Sequence, residues 1–310
     1  MDALRQTSGG PVIGALADAV GQTPVLRLAR CGHGLSAPFL AKLELRSPTG
    51  SGKDRVALAV LEALASAGRL APGQALVVPS TGNLAVSLAW AAATRGHAVH
   101  AVIPRASSLE FRQLLKLYRA ELELTASEDG VSGARVRARE LAQQIGACLF
   151  DPFSDALAVA GARGLVQEIA ALQAQLGDAL GGVVCGLGSG ATAAALRQFL
   201  PEVPVTAVEP AESAVHSGGV RGPHKVHGIG MGFRSEHLRG VEGIRFVQIP
   251  AAEAWNAKRQ LAATEGLFVG PTTGAVLAAA RIEAASARGP LVCLAMDSGE
   301  RYFSQEALVP

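Results

Sequence analysis

Charged residues, long apolar runs and paired cysteines are all scarce in this chain of 310 residues. Charged side chains make up 17% of it and the formal net charge is +2, so composition gives no reason to expect a nucleic acid or an acidic membrane surface as a partner. No apolar stretch reaches the roughly 18–20 residues that a helix needs to cross a bilayer. Hydrophobic residues still make up 49% of the chain, which is typical of a compact, enzyme-sized protein.

The four cysteines do not suggest a metal site. Cys31, Cys148, Cys185 and Cys293 are far apart, with neither a C-x-x-C pair nor a histidine at zinc-ligand spacing. Cys185 and Cys293 lie in apolar strand-like runs, where we expect buried free thiols. Residues 1–6 lack the basic segment followed by an apolar one that marks a secretory signal, so we expect a cytoplasmic protein.

Lysine is also scarce, and one lysine stands at a place that suggests chemistry. Only five of the 28 basic residues are lysines. Lys53 ends the glycine-rich turn 48–52 and precedes the apolar helical run 56–67. Burial and the unpaired N–H groups of a helix start both favour the neutral amine, which is the form that attacks a carbonyl. Lys53 is therefore a candidate Schiff-base lysine, although its position alone favours an ordinary surface lysine at a helix start.

Short apolar runs alternate with longer helical ones along almost the whole chain. The predicted strands are residues 39–45, 75–79, 98–103, 121–125, 182–185, 205–209, 245–249 and 291–295. The predicted helices are residues 56–67, 84–95, 109–118, 133–145, 191–200, 251–265 and 275–287. Continuous apolar strands between helices indicate parallel sheets that are covered on both faces. We therefore predict an α/β protein with two sheets and a cleft between them, and a change of domain near residues 151–153.

Ligands of such folds bind where strands end and helices begin, so the turns at those places are candidate sites. Ser80, Thr81, Gly82 and Asn83 form one of these turns. This turn could bind a carboxylate, because it has two hydroxyls, backbone N–H groups and a helix start. The Asn83 amide can also reach a ring hydroxyl or an oxyanion. A simple helix cap explains this turn equally well.

A second turn, residues 186–192, is rich in glycine and opens the helix 191–200. A strand, a glycine-rich turn and a helix in this order present several N–H donors to a phosphate dianion. Ser189 and Thr192 can add hydroxyl hydrogen bonds. A dinucleotide site is the alternative, since Glu209 stands near the position of the acidic residue that would bind a ribose.

Two further turns complete the set of candidates. Thr272, at another helix start, can place a hydroxyl against a neutral pyridine nitrogen, which suits β-elimination and replacement. A capping threonine is the alternative. Residues 297–302 follow the strand 291–295 and put charged groups near the expected cleft, although a salt-bridged turn is the simpler interpretation.

Taken together, these runs resemble the cysteine synthase and cystathionine β-synthase family of pyridoxal-phosphate enzymes (fold type II). The runs that carry the resemblance are GQTPVLRL at 21–28, AKLE at 41–44, PTGSGKDR at 48–55, STGN at 80–83, SLEFR at 108–112, GLGSGAT at 186–192, GPHKVHGIGMGF at 222–233, TTGA at 272–275 and SGERY at 298–302. They occur in one order over nearly the whole chain, which makes the resemblance highly specific.

The resemblance implies a role for each candidate residue. Lys53 would be the catalytic residue that binds the cofactor as a Schiff base and then acts as acid and base at the substrate Cα. The implied cofactor-binding residues are Lys53, Asn83, Gly188, Ser189, Gly190, Ala191, Thr192 and Thr272. The implied substrate-binding residues are Ser80, Thr81, Gly82 and Asn83. No metal is implied.

The resemblance also implies an architecture and a reaction. The fold would be similar to that of tryptophan synthase β, with two doubly wound parallel-sheet domains and the cofactor in the cleft between them. We expect a smaller mobile domain over 48–152, a larger domain over 1–47 and 153–310, and a homodimer. An O-activated serine (O-acetylserine or O-phosphoserine) would react through an aminoacrylate to give cysteine or another β-substituted alanine.

The chain departs from the family pattern at the substrate side of the site. Leu84 and Ala85 replace a threonine and a glycine after the STGN run, and Pro152 stands where the family has a glutamine. A specialised synthase of a non-protein amino acid such as diaminopropionate, and a serine or threonine deaminase, are therefore alternatives. A non-catalytic relative would be expected to lose the lysine or the phosphate turn, and this chain keeps both.

Overall fold

A computed structural model describes residues 13–80, 82–177 and 179–306 of the chain. Within these ranges the strands are β1 Val25–Arg27, β2 Phe39–Leu43, β3 Leu76–Pro79, β4 Val99–Pro104, β5 Glu121–Thr125, β6 Cys148–Leu149, β7 Gly182–Gly186, β8 Val205–Pro210, β9 Ile244–Ile249 and β10 Leu291–Ala295. The α-helices are α1 Lys53–Ser66, α2 Asn83–Ala93, α3 Leu109–Leu117, α4 Gly130–Ile145, α5 Leu157–Ala160, α6 Arg163–Leu176, α7 Ala191–Phe199, α8 Ala251–Gln260, α9 Pro271–Glu283 and α10 Phe303–Glu306. A turn of π-helix, Leu261–Glu265, continues α8.

The strands form two sheets. The larger has six strands in the order β1-β2-β10-β7-β8-β9, and the smaller has four in the order β5-β4-β3-β6. Neighbouring strands are parallel, except that β1 pairs antiparallel with β2. Strand β1 was not predicted, because three residues carry too little pattern and its pairing with β2 holds it in place. The smaller sheet lies inside the range 48–152, and the domain boundaries themselves stay a prediction.

Each sheet is covered on both faces, as the continuous apolar strands predicted. In β3 the side chain of Val78 joins a core with α1 and α2, while Val77 joins a second core with α4. In β10 Cys293 packs towards α9, and Leu294 packs towards α6 and α7 on the other face. This alternation confirms the doubly wound α/β architecture. Among the described residues, no helix has both the length and the apolar character that crossing a membrane requires.

Three helices begin about one turn earlier than predicted. They start at Lys53, Gly130 and Pro271 instead of 56, 133 and 275. The first turn of a helix needs no apolar side chain and accepts proline, so the apolar pattern begins one turn after the helical backbone does. Helix α6 was not predicted, although its buried residues Leu165, Val166 and Ile169 have helical spacing.

Candidate active site

The predicted turns meet in one cleft between the two sheets. It lies at the carboxyl ends of β3, β7 and β10, with the first residues of α1 and α9 in its wall. The predicted site residues that line it are Lys53, Ser80, Asn83, Gly188, Ser189, Gly190, Ala191, Thr192 and Thr272. Thr81 lies outside the described residues. Gly82 is buried behind the wall, where an added Cβ would come within 2.7 Å of the Phe111 ring.

Lys53 is the first residue of α1 and its side chain lines the cleft. The turn before it is fixed to the end of β10, because Gly52 N donates to Met296 O at 2.9 Å and Ser51 pairs with Asp297 in an antiparallel bridge. Burial lowers the pKa of the Lys53 amine, against the opposing effect of the nearby Asp297 carboxyl. Burial therefore shifts this amine towards its neutral form, and the side chain lies in the cleft rather than on an open surface.

A buried group of ion pairs fixes the first turn of α1, next to Lys53. Arg55 Nε donates to Glu44 Oε2 at 2.8 Å, and Arg55 Nη1 donates to Glu168 Oε1 at 2.7 Å. Lys42 Nζ also donates to Glu168, at 2.7 Å. Burial would raise the pKa of Glu168, but the bonds from Arg55 and Lys42 outweigh it and lower the pKa to about 2. Gly52 leaves room for this group, since a Cβ there would lie 2.7 Å from Glu44 Oε2.

The glycine-rich turn after β7 is tight and ends in a helix start. Gly190 caps α7 with a φ of +86°, a conformation that favours glycine, and an added Cβ would lie 2.2 Å from Ser235 Oγ. Ser235 Oγ donates to Ser189 O at 2.6 Å and holds the turn in shape. The first N–H groups of α7 have no carbonyl partner within the helix, so they can bind a phosphate.

A dinucleotide does not fit this turn. Glu209 is buried, and its two carboxylate oxygens accept hydrogen bonds from the backbone N–H groups of His216 and Ser217 at 3.0 Å. The Ser217 hydroxyl adds a further bond at 2.9 Å. His216 Nδ1 also lies 3.0 Å from Glu209 Oε1, so four contacts fill the acceptor sites of this carboxylate and leave none for a ribose. The phosphate of a smaller cofactor is the better match.

Ser80 and Asn83 make different contacts in the turn formed by residues 80–83. Ser80 Oγ accepts from Gly82 N at 3.1 Å and from Ala85 N at 3.4 Å, so it holds the first turn of α2 although Gly82 is the N-cap residue. Asn83 is the first residue of α2 and its side chain faces the cleft, where Nδ2 donates to Asp297 Oδ2 at 2.6 Å. Ser80 has mainly a structural task here, while Asn83 belongs to the site.

Thr272 lies at the floor of the cleft in the first turn of α9. Its Oγ1 donates to His227 O at 2.8 Å. Its methyl group lies under Gly186, where an added Cβ would come within 2.4 Å of Thr272 Cγ2. The hydroxyl is thus held beside the cleft, and donation to a ring nitrogen requires its bond to His227 O to be exchanged. Leu84 and Pro152, two of the three departures from the family pattern, also line the cleft.

The sequence analysis placed residues 297–302 near the cleft but favoured a salt-bridged turn and assigned no role to Asp297. Asp297 lines the cleft at only 2% exposure, and Tyr302 OH donates to its Oδ2. Burial raises the pKa of the Asp297 carboxyl, while Tyr302, Arg301 and Asn83 act to lower it. The position of Asp297 just beyond β10 was the available signal, because ligand-binding residues follow parallel strands.

Comparison with known proteins gives the family. The family model described as "Pyridoxal-phosphate dependent enzyme" matches residues 16–297. A probable cysteine synthase of Bacillus subtilis (strain 168) is 36% identical, covering 95% of this chain and 97% of the relative. The crystal structure of O-ureido-L-serine synthase has a TM-score of 0.88 at 34% identity and covers 95% of both chains. An O-acetylserine dependent cystathionine β-synthase from Helicobacter pylori has a TM-score of 0.88 at 30% identity, covering 95% of this chain and 98% of that one.

The chain therefore belongs to the family of pyridoxal-phosphate-dependent enzymes. Within it, the relatives confirm the predicted cofactor, the type II fold and an enzyme of the cysteine synthase type. The residues present also fit this cofactor. The cleft combines a lysine whose amine pKa burial lowers, a tight glycine turn at the start of α7 and a hydroxyl on its floor.

Proposed function

We propose that this protein catalyses β-replacement on an O-activated serine, with O-acetylserine as the first choice and O-phosphoserine as the second. The product would be cysteine or another β-substituted alanine. The observation that carries the proposal is the presence of Lys53, the glycine-rich turn and the Thr272 hydroxyl in one cleft. A hydroxyl in place of a carboxylate at the ring nitrogen makes a weaker electron sink, which suits elimination and replacement at Cβ. The relatives named as cysteine synthases support the same reaction.

Lys53 has the central part in this mechanism. Its amine would hold the cofactor through the cofactor's carbonyl group, and the same amine would be the acid and base for the proton at the substrate Cα. The N–H groups of residues 188–192 would hold the phosphate, and the Asn83 amide would donate to the ring hydroxyl. Pyridoxal phosphate, when bound, supplies the electron sink that makes the Cα proton acidic and lets the β-substituent leave.

The substrate carboxylate would bind at residues 80–83. The N–H groups at the start of α2 are the donors available there. Leu84 and Pro152 add apolar surface to the adjoining wall, where the family has a threonine and a glutamine. This change supports a second candidate, a specialised synthase that makes a non-protein amino acid such as diaminopropionate.

The test starts from the colour of the purified protein. It should be yellow, with a visible band that borohydride removes and that Lys53→Ala lacks. O-acetylserine or O-phosphoserine should shift this band, and a panel of nucleophiles (sulfide, thiosulfate, homocysteine, ammonia and amino acids) should then restore it while product forms. A colourless protein that binds no pyridoxal phosphate would contradict the proposal. Deamination of serine or threonine without any replacement product would favour the deaminase instead.

We further propose a homodimer in the cytoplasm, with residues 48–152 as a smaller domain that moves. Exposed apolar side chains on neighbouring elements, Leu109 on α3 and Phe303 on α10, support a protein partner at that face. The four free cysteines support a reducing compartment. The mass in solution from light scattering tests the dimer.

A further inference from the structure

The side-chain amide of Asn83 is held at both ends. Its Nδ2 donates to Asp297 Oδ2 at 2.6 Å, and its Oδ1 accepts from Arg301 Nη1 at 2.8 Å. Turning the amide by 180° would place its nitrogen against the guanidinium and its oxygen against the carboxylate, which sets donor against donor and acceptor against acceptor. The amide therefore has a single favourable orientation. Nδ2 carries two hydrogens, and the bond to Asp297 uses one of them.

Asp297 is itself fixed in place, so it can impose this orientation. Tyr302 OH donates to the same oxygen, Oδ2, that accepts from Asn83. Gly270 N donates to Asp297 O at 3.0 Å, and an added Cβ at Gly270 would lie 2.2 Å from Asp297 Oδ1. Ser51, two residues before Lys53, pairs with Asp297 in an antiparallel bridge. The carboxylate thus has little freedom to turn away from Asn83.

Arg301 is the other anchor and is equally confined. It is 5% exposed, and its guanidinium lies over the Phe111 ring at 5.9 Å. Ser108 Oγ donates to Arg301 O at 3.0 Å, which fixes the backbone of the same residue. Both contacts come from the start of α3, so Arg301 is held by the smaller-sheet side of the cleft while Asp297 is held by the larger.

We propose that Asp297 and Arg301 are positioning residues that orient the Asn83 amide so that its second N–H points to the ring hydroxyl of the cofactor. The inference rests on the proposed function, which assigns Asn83 to that hydroxyl. A donor held in this orientation stabilises the ionised hydroxyl, whereas a reversed amide would set its carbonyl oxygen against the negative charge. Neither residue touches the reacting atoms in this scheme, and both act through Asn83.

Four variants of the full-length holoenzyme test the proposal: Asp297→Ala, Asp297→Asn, Arg301→Met and Glu300→Ala. The readouts are the pH titration of the visible cofactor band and the rate of cofactor loss on dialysis. Asp297→Ala and Arg301→Met should speed cofactor loss by roughly ten- to a hundredfold and shift the titration to higher pH, because a hydrogen bond to a charged group is lost. Asp297→Asn keeps an acceptor for Asn83, so its rate of cofactor loss should stay within about threefold of the wild-type rate. Glu300 is exposed on the same turn, and its variant is the matched control.

A double-mutant cycle separates positioning from a direct effect of Asp297 on Lys53. In an Asn83→Ala background, adding Asp297→Ala should change either readout by less than about twofold, because the residue through which it acts is gone. An equal effect in both backgrounds would overturn the proposal, as would an Asn83→Ala variant that titrates like the wild type. If Asp297→Ala does not fold, Arg301→Met enters the same cycle. Absence of the band from the wild type would instead overturn the proposed function.

Discussion

His227 is a partly buried histidine whose surroundings disfavour its charged form. Burial and the neighbouring His224 lower its pKa to about 4, against a hydrogen bond with Gln305 that acts to raise it. The ring lies beside Tyr302, with 6.2 Å between the ring centroids. The backbone oxygen of the same residue accepts the bond from Thr272. Charging this histidine would therefore disturb the floor of the cleft.

The first prediction concerns stability in acid. Between pH 6.5 and about 4 the unfolded chain binds a proton at His227 that the folded chain does not, so the free energy of unfolding falls as pH falls through this window. The loss from this group is up to about 3 kcal/mol. Urea unfolding at pH 7 and pH 4.5 should show that the free energy of unfolding falls less between these pH values for His227→Gln than for the wild type. His33→Gln, which removes an exposed histidine, is the control, and equal acid losses in all three proteins would contradict the prediction.

At the scale of elements, close packing of two helices shapes the floor of the site. Helices α8 and α9 touch at Gly274, where an added Cβ would lie 2.0 Å from Ala254 O and 2.8 Å from Lys258 N. Both contacts are to backbone, which cannot swing aside. Since Thr272 is on the same turn of α9, the spacing of these helices also sets where its hydroxyl stands. Gly274 is thus needed for its lack of a side chain.

Two glycine-to-alanine substitutions within helices should therefore have opposite effects. Gly274→Ala should lower the free energy of unfolding by about 1–3 kcal/mol, because the added methyl group forces α8 and α9 apart. Gly164→Ala in α6 should raise it by up to about 1 kcal/mol, because alanine has the higher helix propensity. There the nearest atom to an added Cβ is Arg55 Nη1 at 3.7 Å, an ordinary contact. Denaturant unfolding of the two variants checks the signs, and a stabilising Gly274→Ala would refute the packing argument.

At the scale of the whole molecule, the local parts of the site could be predicted and the long-range ones could not. The turns around Lys53, Gly190 and Thr272 each lie at the start of a helix, so short runs of sequence indicate them. The bonds of Asn83 join residues 214 and 218 positions apart, to Asp297 and Arg301. No local pattern records such a pairing, because it depends on how the two sheets meet.

The two sheets are also joined at the rim of the cleft, by the start of α3 and the C-terminal turn. Glu110 accepts from Ser304 N at 2.6 Å and from Ser304 Oγ at 2.8 Å. Burial would raise the pKa of Glu110, but the bonds from Ser304 outweigh it and lower the pKa, so the carboxylate is charged near neutral pH. Glu110 lies in the proposed mobile domain and Ser304 outside it. Closing the cleft by movement of that domain would depend on this contact.

The last prediction follows from that contact. Glu110→Ala should raise the KM for O-acetylserine roughly fivefold and change kcat less, because about 1 kcal/mol of hydrogen bonding that favours the closed cleft is lost. Steady-state kinetics measures this split, and faster hydrogen exchange over 109–117 and 303–306 should accompany it. Glu121→Ala, which removes an exposed carboxylate from β5 in the same domain, is the matched control. If Glu110→Ala matches this control in both KM and exchange, the rim contact does not govern closure.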